Sequence, residues 1–155
     1  MLAKNDQAPA FTLMDQDGNL VSLSDFENQT IVVYFYPKDD TPGCTTQACS
    51  YRDYTEEFDK RDVKVIGISK DDVKSHVRFQ TKYNLDFTLL SDADTTVSQR
   101  YGVWQEKNRM GKTYMGIVRT TFIIKNGIIE KIFEKVDPKN DVQLVLEALD
   151  KTVKD

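Results

Sequence analysis

The feature that most constrains this chain is a continuous run of apolar, β-branched and aromatic residues at 30–36, which ends at Pro37. Its β-branched and aromatic side chains favour a strand, and the lack of polar alternation predicts a strand covered on both faces. Residues 38–43 are rich in Asp, Pro and Gly and therefore predict a turn. We expect one buried strand that leads directly into a turn and then into a helix.

The predicted helix after this turn carries both cysteines of the chain. Thr41 suits the N-cap position, and Pro42 suits the first position inside the helix. Residues that can face a sheet recur every three or four positions beyond Cys44, at Ala48, Tyr51, Thr55 and Phe58. One helix over this stretch therefore has Cys44 at its N-terminal end.

A second strand and helix follow. Val63–Ser69 is an apolar run that predicts a strand, and residues 72–83 predict a helix. We expect this helix to turn the side of Val73, Val77 and Phe79 or Gln80 toward the sheet. His76 lies on a charged stretch, so it is interpreted as a surface histidine without a role.

The last part of the chain predicts a hairpin and a helix. Residues 120–124 and Ile128–Phe133 are strand-like and are joined through Asn126-Gly127, a strong hairpin signal. Asp137 is expected to cap the terminal helix and Pro138 to begin it. The apolar stripe of that helix is Val142, Val145, Leu146, Leu149 and Val153.

The order of these elements is βαβα followed by ββα, which is the succession of the thioredoxin fold. We expect an α/β fold with a mixed sheet of four strands flanked by helices. An N-terminal extension carries its own β-hairpin signal, residues 11–13 and 20–22 around a turn, and an insertion lies near residues 84–118, before the C-terminal hairpin and helix. No linker or repeat interrupts the sequence, so residues 1–155 are expected to form a single domain.

Charge and hydropathy exclude several classes of partner. The chain has 25 acidic and 21 basic side chains, a net charge of −4, and no basic run. It therefore lacks an electrostatic footprint for nucleic acid or an anionic membrane. The longest apolar stretch, residues 31–36, is far shorter than the roughly 20 residues that a transmembrane helix needs. Residues 1–7 lack the apolar core of a secretory signal, so we expect a cytoplasmic protein.

The content of metal-binding residues is low. Two cysteines and one histidine are too few for a disulfide scaffold or for an ordinary zinc site. The aspartates at 39–40, 71–72 and 92–94 adjoin turns or helix starts, where aspartate is a routine cap, and they are not interpreted as ion sites. Trp104 is interpreted as packing around the inserted segment.

The position of Cys44 favours a reactive thiol. A thiol attacks only as its anion, and the unpaired amides and dipole of a helix N-terminus stabilise an anion. A thioredoxin-like disulfide reductase would have its first cysteine three residues earlier, where this chain has Thr41. A threonine hydroxyl can hydrogen-bond to an oxygen-bearing substrate, but it cannot form a redox disulfide.

At these residues the chain resembles a known family. The segment from Pro37 to Cys44 has the pattern P-x-x-x-T-x-x-C and resembles the signature of the peroxiredoxins, which reduce hydroperoxides with a thiol. The spacing from Cys44 to Cys49, C-x-x-x-x-C, is similar to that of the bacterioferritin comigratory protein branch, also called peroxiredoxin Q. The resemblance spans nearly the whole chain, with matching segments at residues 8–13, 67–69, 89–92, 101–104, 111–114 and 119–122.

The resemblance implies a role for each site residue. Cys44 would be the peroxidatic nucleophile, Thr41 and Arg119 its hydrogen-bonding and charge partners, and Pro37 the shield of the pocket. A cationic Arg119 would stabilise the thiolate and polarise the peroxide oxygens, and the product on Cys44 would be a sulfenic acid. Gln47 either supports Arg119 or occupies a solvated helix position, and the sequence leaves both interpretations open.

The resemblance further implies that Cys49 is the resolving residue, which forms an intramolecular disulfide with Cys44. Thioredoxin or a similar dithiol would recycle the disulfide, no cofactor would be needed, and the protein would be a monomer. If residues 44–49 are helical, the two Cα atoms are ~8.6 Å apart, whereas a disulfide needs less than about 7 Å. We therefore predict that the first turns of this helix unwind once per catalytic cycle.

Three alternatives stay open from the sequence. Cys44 and Cys49 could serve as the dithiol of a thiol-disulfide oxidoreductase, although Thr41 and the wide spacing argue against it. Cys44 could also work alone with an external thiol. A redox-sensing binding protein or holdase would share the cysteines but would need a partner surface.

Overall fold

The computed structural model describes the backbone of residues 2–154 and the side chains of residues 2–151. In chain order, its elements are strands β1 (Thr12–Asp15) and β2 (Leu20–Ser22), a short 3₁₀ helix (Leu23–Phe26), β3 (Thr30–Phe35), helices α1 (Pro42–Asp53) and α2 (Thr55–Lys60), β4 (Val63–Ser69), α3 (Val73–Tyr83), β5 (Thr88–Ser91), α4 (Thr96–Arg100), β6 (Trp104–Arg109), β7 (Lys112–Ile117), β8 (Thr120–Lys125), β9 (Ile128–Phe133) and α5 (Asp141–Lys154).

The central sheet is mixed, and the predicted apolar strand lies inside it. Its seven strands have the order β2-β1-β5-β4-β3-β8-β9. Strand β3 runs parallel to β4 and antiparallel to β8, and every residue of β3 after Thr30 is buried. The β4-β3-β8-β9 core is the predicted thioredoxin-like arrangement, so the expected fold class is confirmed.

The sheet is larger than the four strands that we expected. The predicted N-terminal hairpin forms as β1 and β2, and β1 pairs antiparallel with β5. Strand β5 belongs to the segment interpreted as an insertion, but it pairs parallel with β4 in the main sheet. Four residues give too short a pattern to distinguish a strand from a loop. The rest of that segment forms α4 and a separate two-stranded sheet, β6-β7.

Alternating residues of β3 fill two cores on opposite faces of the sheet, as the period of a strand requires. Tyr34 and Tyr36 pack in one core with side chains of α1, α2, α3 and α5. Val33 and Phe35 pack in the other core, with the N-terminal segment and α4. Helix α1 therefore lies on the Tyr34 face, directly after the strand that enters the sheet centre.

The hairpin between β8 and β9 forms as predicted. Asn126 and Gly127 have φ of 52° and 76°, the left-handed conformations that a tight two-residue hairpin needs. The terminal helix begins later than expected, at Asp141 instead of Pro138. Asp137 caps a preceding turn, because its Oδ1 accepts a hydrogen bond from the Lys139 amide at 2.9 Å. The predicted stripe of this helix is buried as far as Leu149, and the side chain of Val153 lies outside the described residues.

The predicted single helix over the cysteines is divided in two. Helix α1 ends at Asp53, and α2 begins at Thr55. The Thr55 hydroxyl donates to Arg52 O at 2.9 Å and lies 2.8 Å from Asp86 Oδ1, so it competes with the regular helix bonds. Tyr51 and Phe58 still face the same core.

Helix α3 packs Phe79 against the core, as expected, but it does not turn Val77 in the same direction. Val77 is exposed at 42%, whereas His76 is fully buried beside Phe79. The interpretation of His76 as a surface residue is therefore wrong. A buried imidazole is tolerated here because both ring nitrogens lie near oxygen atoms, Nδ1 2.7 Å from Asp39 Oδ2 and Nε2 3.0 Å from Leu90 O.

Candidate active site

Cys44 lies where the sequence places it, in the first turn of α1, and its exposed fraction is 1%. Pro42 occupies the start of this helix, as predicted, and Thr41 is the N-cap residue. The first turn of α1 lies wholly within the described residues, and it contains no acidic residue. The helix dipole and the free amides therefore act on the sulfur without a competing carboxylate in the same turn.

Arg119 brings a positive charge to this sulfur from the other side of the site. It lies between β7 and β8, and its Nη1 is 3.4 Å from Cys44 Sγ. The same nitrogen donates to Gln47 Oε1 at 2.8 Å. Gly43 leaves room for the guanidinium, because a Cβ at that position would lie 3.0 Å from Arg119 Nη2. The structure therefore brings Cys44, Gln47 and Arg119 together.

Gln47 is fully buried, and it continues the polar contacts away from the sulfur. Its Nε2 donates to Asp141 Oδ2 at 2.9 Å. The same oxygen accepts hydrogen bonds from the hydroxyl groups of Tyr51 at 2.6 Å and Thr121 at 2.9 Å. Burial raises the pKa of the Asp141 carboxyl above its usual range, and the three donors and Arg119 act in the opposite direction. The interpretation of Gln47 as a solvated helix position is wrong.

Thr41 has the backbone conformation of an N-cap residue, but its side chain does not accept a hydrogen bond from the helix as an N-cap side chain usually does. Its φ and ψ are −103° and 156°, and no helix amide donates to its hydroxyl. The hydroxyl instead donates to Lys38 O at 2.8 Å. Pro37 is half-buried and follows the fully buried Tyr36 at the end of β3. Both residues lie in the segment that joins β3 to the sulfur-bearing turn.

Cys49 is half-buried on the same helix, and neither cysteine forms a disulfide. Helix α1 runs without interruption through both positions. In a regular helix this separation puts the Cα atoms ~8.6 Å apart, too far for a disulfide. A bond between Cys44 and Cys49 therefore requires this part of α1 to change conformation.

The turn before α1 is anchored by Asp39, which the sequence suggested only as a cap. Its Oδ1 accepts a hydrogen bond from the Tyr36 hydroxyl at 2.6 Å. Its Oδ2 accepts one from the Ser75 hydroxyl at 2.8 Å and lies 2.7 Å from His76 Nδ1. Its amide donates to Asp71 Oδ2 at 2.8 Å. The side chain and the backbone of Asp39 are thus both attached to α3 and the loop that precedes it.

Asp40 provides a second attachment to the end of α3. It has a left-handed φ of 56°, and its carboxylate accepts hydrogen bonds from Tyr83 at 2.7 Å and from Lys82 at 2.9 Å. The hydrogen bonds from Lys82 and Tyr83 lower the pKa of the Asp40 carboxyl. Arg52, near the other end of α1, donates to Tyr83 O at 2.6 Å. The turn before α1 and the C-terminal end of α1 therefore both contact the last turn of α3.

The sequence analysis proposed Cys44, Gln47 and Arg119 for this site, but it assigned no site role to Tyr51, Thr121 or Asp141. An acidic residue at the start of a terminal helix is ordinarily a cap, and nothing local distinguishes this one. Among the side chains of residues 2–151, no group of His, Cys, Asp and Glu is arranged to hold a metal ion. Within the same described range, no helix has both the length and the apolar character to cross a membrane.

Comparison with known proteins gives matches over most of the chain. Residues 5–132 match the model of the AhpC/TSA family. A putative peroxiredoxin bcp of Coxiella burnetii is 51% identical over 92% of this chain and 95% of the relative. The peroxiredoxin Bcp of Escherichia coli is 50% identical over 96% of each chain.

Solved structures give the same result. A cysteine-to-serine mutant of PrxQ from Xylella fastidiosa superposes with a TM-score of 0.93 at 31% identity, covering 99% of this chain and 98% of that chain. The bacterioferritin comigratory protein of Xanthomonas campestris, whose trapped intermediate and ligand complexes bear on its alkyl peroxide reduction, has a TM-score of 0.87 at 36% identity. That match covers 92% of this chain and 91% of the neighbour.

Proposed function

The chain belongs to the AhpC/TSA family and is a peroxiredoxin of the Bcp or peroxiredoxin Q kind, and on that premise we propose that Cys44 attacks hydroperoxides and Cys49 resolves the product. One observation carries the proposal. Arg119 Nη1 lies 3.4 Å from a sulfur that is buried in the first turn of a helix. A guanidinium and a helix N-terminus that meet at one thiol form an environment for a thiolate.

In the first step, the Cys44 thiolate attacks the terminal oxygen of the hydroperoxide. An S–O bond forms, the O–O bond breaks, and the departing oxygen takes a proton to leave as water or an alcohol. The sulfur becomes a sulfenic acid. Arg119 can donate to the oxygens as negative charge moves onto them.

The Thr41 hydroxyl acts as a hydrogen-bond acceptor in this step. This hydroxyl donates its hydrogen to Lys38 O, so its oxygen is left as an acceptor for a bound substrate. A hydroperoxide brings one O–H donor, which this oxygen can accept. We propose that Thr41 orients the substrate in this way and that Pro37 limits access of water to the same space.

In the second step, the Cys49 thiol attacks the sulfenic sulfur, a disulfide forms, and water leaves. This step requires the first turns of α1 to unwind, because an intact helix holds the two Cα atoms ~8.6 Å apart. A dithiol reductant then returns both cysteines to thiols by exchange and is itself oxidised to a disulfide. We propose thioredoxin as that reductant, and we propose that the protein acts as a monomeric single domain in the cytoplasm.

The test is to add one equivalent of hydrogen peroxide to the reduced protein and to follow its intact mass. We expect the wild type to lose two hydrogens as the disulfide forms. Cys49→Ser should gain one oxygen, as a sulfenic acid that a dimedone probe captures, and Cys44→Ser should not consume peroxide. Rapid peroxide loss with Cys44→Ser would overturn the proposal. Unchanged peroxide together with efficient reduction of insulin disulfides would support a thiol-disulfide oxidoreductase instead.

A further inference from the structure

Asp141 is a fully buried acid whose contacts converge on one of its two oxygens. Its Oδ2 accepts hydrogen bonds from Gln47, Tyr51 and Thr121. Its Oδ1 is buried and has no hydrogen-bond partner among the described residues. A residue that served only to cap α5 would not need donors from α1 and β8. These contacts suggest that Asp141 has a role in the site that those two elements form.

The chemistry of a carboxylate determines how Gln47 is oriented. An amide side chain can present either its NH₂ group or its oxygen to a neighbour, but a carboxylate can only accept. The Gln47 NH₂ group therefore faces Asp141, and Oε1 is left to face Arg119. With the amide reversed, Arg119 would meet a second donor and would lose a bond of 2.8 Å.

The position of Arg119 depends on that orientation. Its Nη1 divides its contacts between Gln47 Oε1 and Cys44 Sγ. A guanidinium that has lost its acceptor on Gln47 is free to rotate away from the sulfur. We propose that Asp141 is a positioning residue: its carboxylate orients Gln47, and Gln47 in turn fixes Arg119 against Cys44.

The proposal rests on the proposed function only where it concerns the peroxide rate. The contacts themselves belong to the reduced protein, and they predict the reactivity of the Cys44 thiol toward any electrophile. Asp141 and Gln47 are both fully buried, and Gln47 donates a hydrogen bond to Asp141. Substitutions at these two positions can therefore be tested singly and together. A pair that works through one hydrogen bond should couple strongly when both members are changed.

The experiment exchanges the two functional groups, so that position 47 carries the carboxylate and position 141 carries the amide. Gln47→Glu places a second carboxylate against Asp141, so it should disturb Arg119 and slow the reaction of Cys44 by about 10- to 100-fold. Asp141→Asn added to Gln47→Glu restores the bonds that run from position 141 to Arg119, because the new amide donates to the new carboxylate, which still accepts from Arg119. The hydroxyl groups of Tyr51 and Thr121 lose their shared acceptor in this variant. The double variant should react at least about threefold faster than Gln47→Glu alone, an excess over additivity that marks direct coupling.

Two rates are measured for each variant, in a Cys49→Ser background so that only one thiol reacts. The first is the rate of hydrogen peroxide consumption, and the second is the rate of alkylation by iodoacetamide at pH 7 without peroxide. Urea unfolding of every variant shows whether it is folded at the assay conditions. Asp137→Asn is the matched control, since it removes an exposed carboxylate from the turn before the same helix and should change neither rate.

A second pair covers the case in which Gln47→Glu does not fold. Asp141→Asn alone keeps an acceptor for Gln47 and should stay within about threefold of the wild type, whereas Asp141→Ala removes the acceptor and should slow both rates about tenfold.

The outcomes separate the two proposals. If Asp141→Asn fails to rescue Gln47→Glu, or if Asp141→Ala reacts at the wild-type rates, the positioning role is wrong. If the alkylation rates follow the rescue while the parent protein consumes no peroxide, the positioning role stands and the peroxidase proposal fails.

Discussion

Two buried polar clusters flank the start of α1, and they differ in what the proposed cycle does to them. The anchor cluster consists of Tyr36, Asp39, Asp71, Ser75 and His76, and it ties the turn before α1 to α3. The thiol cluster consists of Cys44, Gln47, Tyr51, Arg119, Thr121 and Asp141. None of the anchor residues lies between the two cysteines, whereas Gln47 does.

The difference indicates which part of the site can move. Formation of a disulfide between Cys44 and Cys49 must displace Gln47 and so breaks the thiol cluster. The anchor cluster can stay intact through the same step. Asp40 and Arg52 both bind Tyr83, so the segment that rearranges is held at each end by the last turn of α3. We infer a movable segment, residues 41–51, mounted on a fixed frame.

The thiol cluster is broken most severely by Arg119→Met, which removes the charge and keeps much of the side-chain volume. We expect the rate of peroxide reduction to fall by about 10²- to 10³-fold, because a donor directed at developing charge is lost. Arg119→Lys should recover only part of the rate, since an ammonium cannot present two donors in a fixed plane. Stopped-flow peroxide consumption measures both, and a loss of less than threefold in Arg119→Met would show that the charge is not used.

The anchor cluster is broken by His76→Leu, and here the main effect should be on stability. The change leaves the buried Asp39 carboxylate and Leu90 O without their ring partner, which we expect to lower the free energy of unfolding by about 2–4 kcal/mol. Urea denaturation measures it. Val77→Ala, at the neighbouring exposed position, is the control and should change stability little.

The rate of disulfide formation in His76→Leu tests the same comparison in a second way. Folded His76→Leu should keep the wild-type rate of disulfide formation to within about tenfold, because the thiol cluster is untouched. Equal stability of His76→Leu and wild type would contradict the description of this cluster as the frame.

The smallest effect concerns pH. Burial raises the pKa of Asp141 in the folded protein above its unfolded value, so the folded state binds this proton more tightly. The resulting stability is present below the unfolded pKa and is lost as pH rises through the folded pKa. Asp141→Asn lacks this titration, so its stability relative to the wild type should increase as pH rises through that window and then become constant. Urea unfolding at a series of pH values measures the difference, and a constant difference from acid to neutral pH would contradict the shift.

The sequence predicted the parts of this comparison that depend on local patterns. The apolar run of β3, the turn at Pro42 and the first-turn position of Cys44 follow from residues near one another in the chain. The roles of Arg119 and Gln47 in the site were predicted only with the help of the resemblance to a family.

The parts that the sequence did not predict depend on distant partners. Asp141 receives bonds from positions 94 and 20 residues away, so its local setting shows only a helix start. His76 was misjudged because helical spacing favoured Val77 as the inward residue. Helix α3 instead turns His76 inward, where Asp39 and Leu90 supply its partners from a turn and a strand.

The central claim, a movable segment on a fixed frame, is tested most directly by hydrogen exchange of the reduced protein against the Cys44–Cys49 disulfide form. The account predicts that amides of residues 44–50 lose protection on oxidation, while the amides of Asp39 and His76 stay equally protected in both forms. Full protection of residues 44–50 in the disulfide form, or loss of protection at Asp39 and His76 to the same extent as in α1, would contradict it.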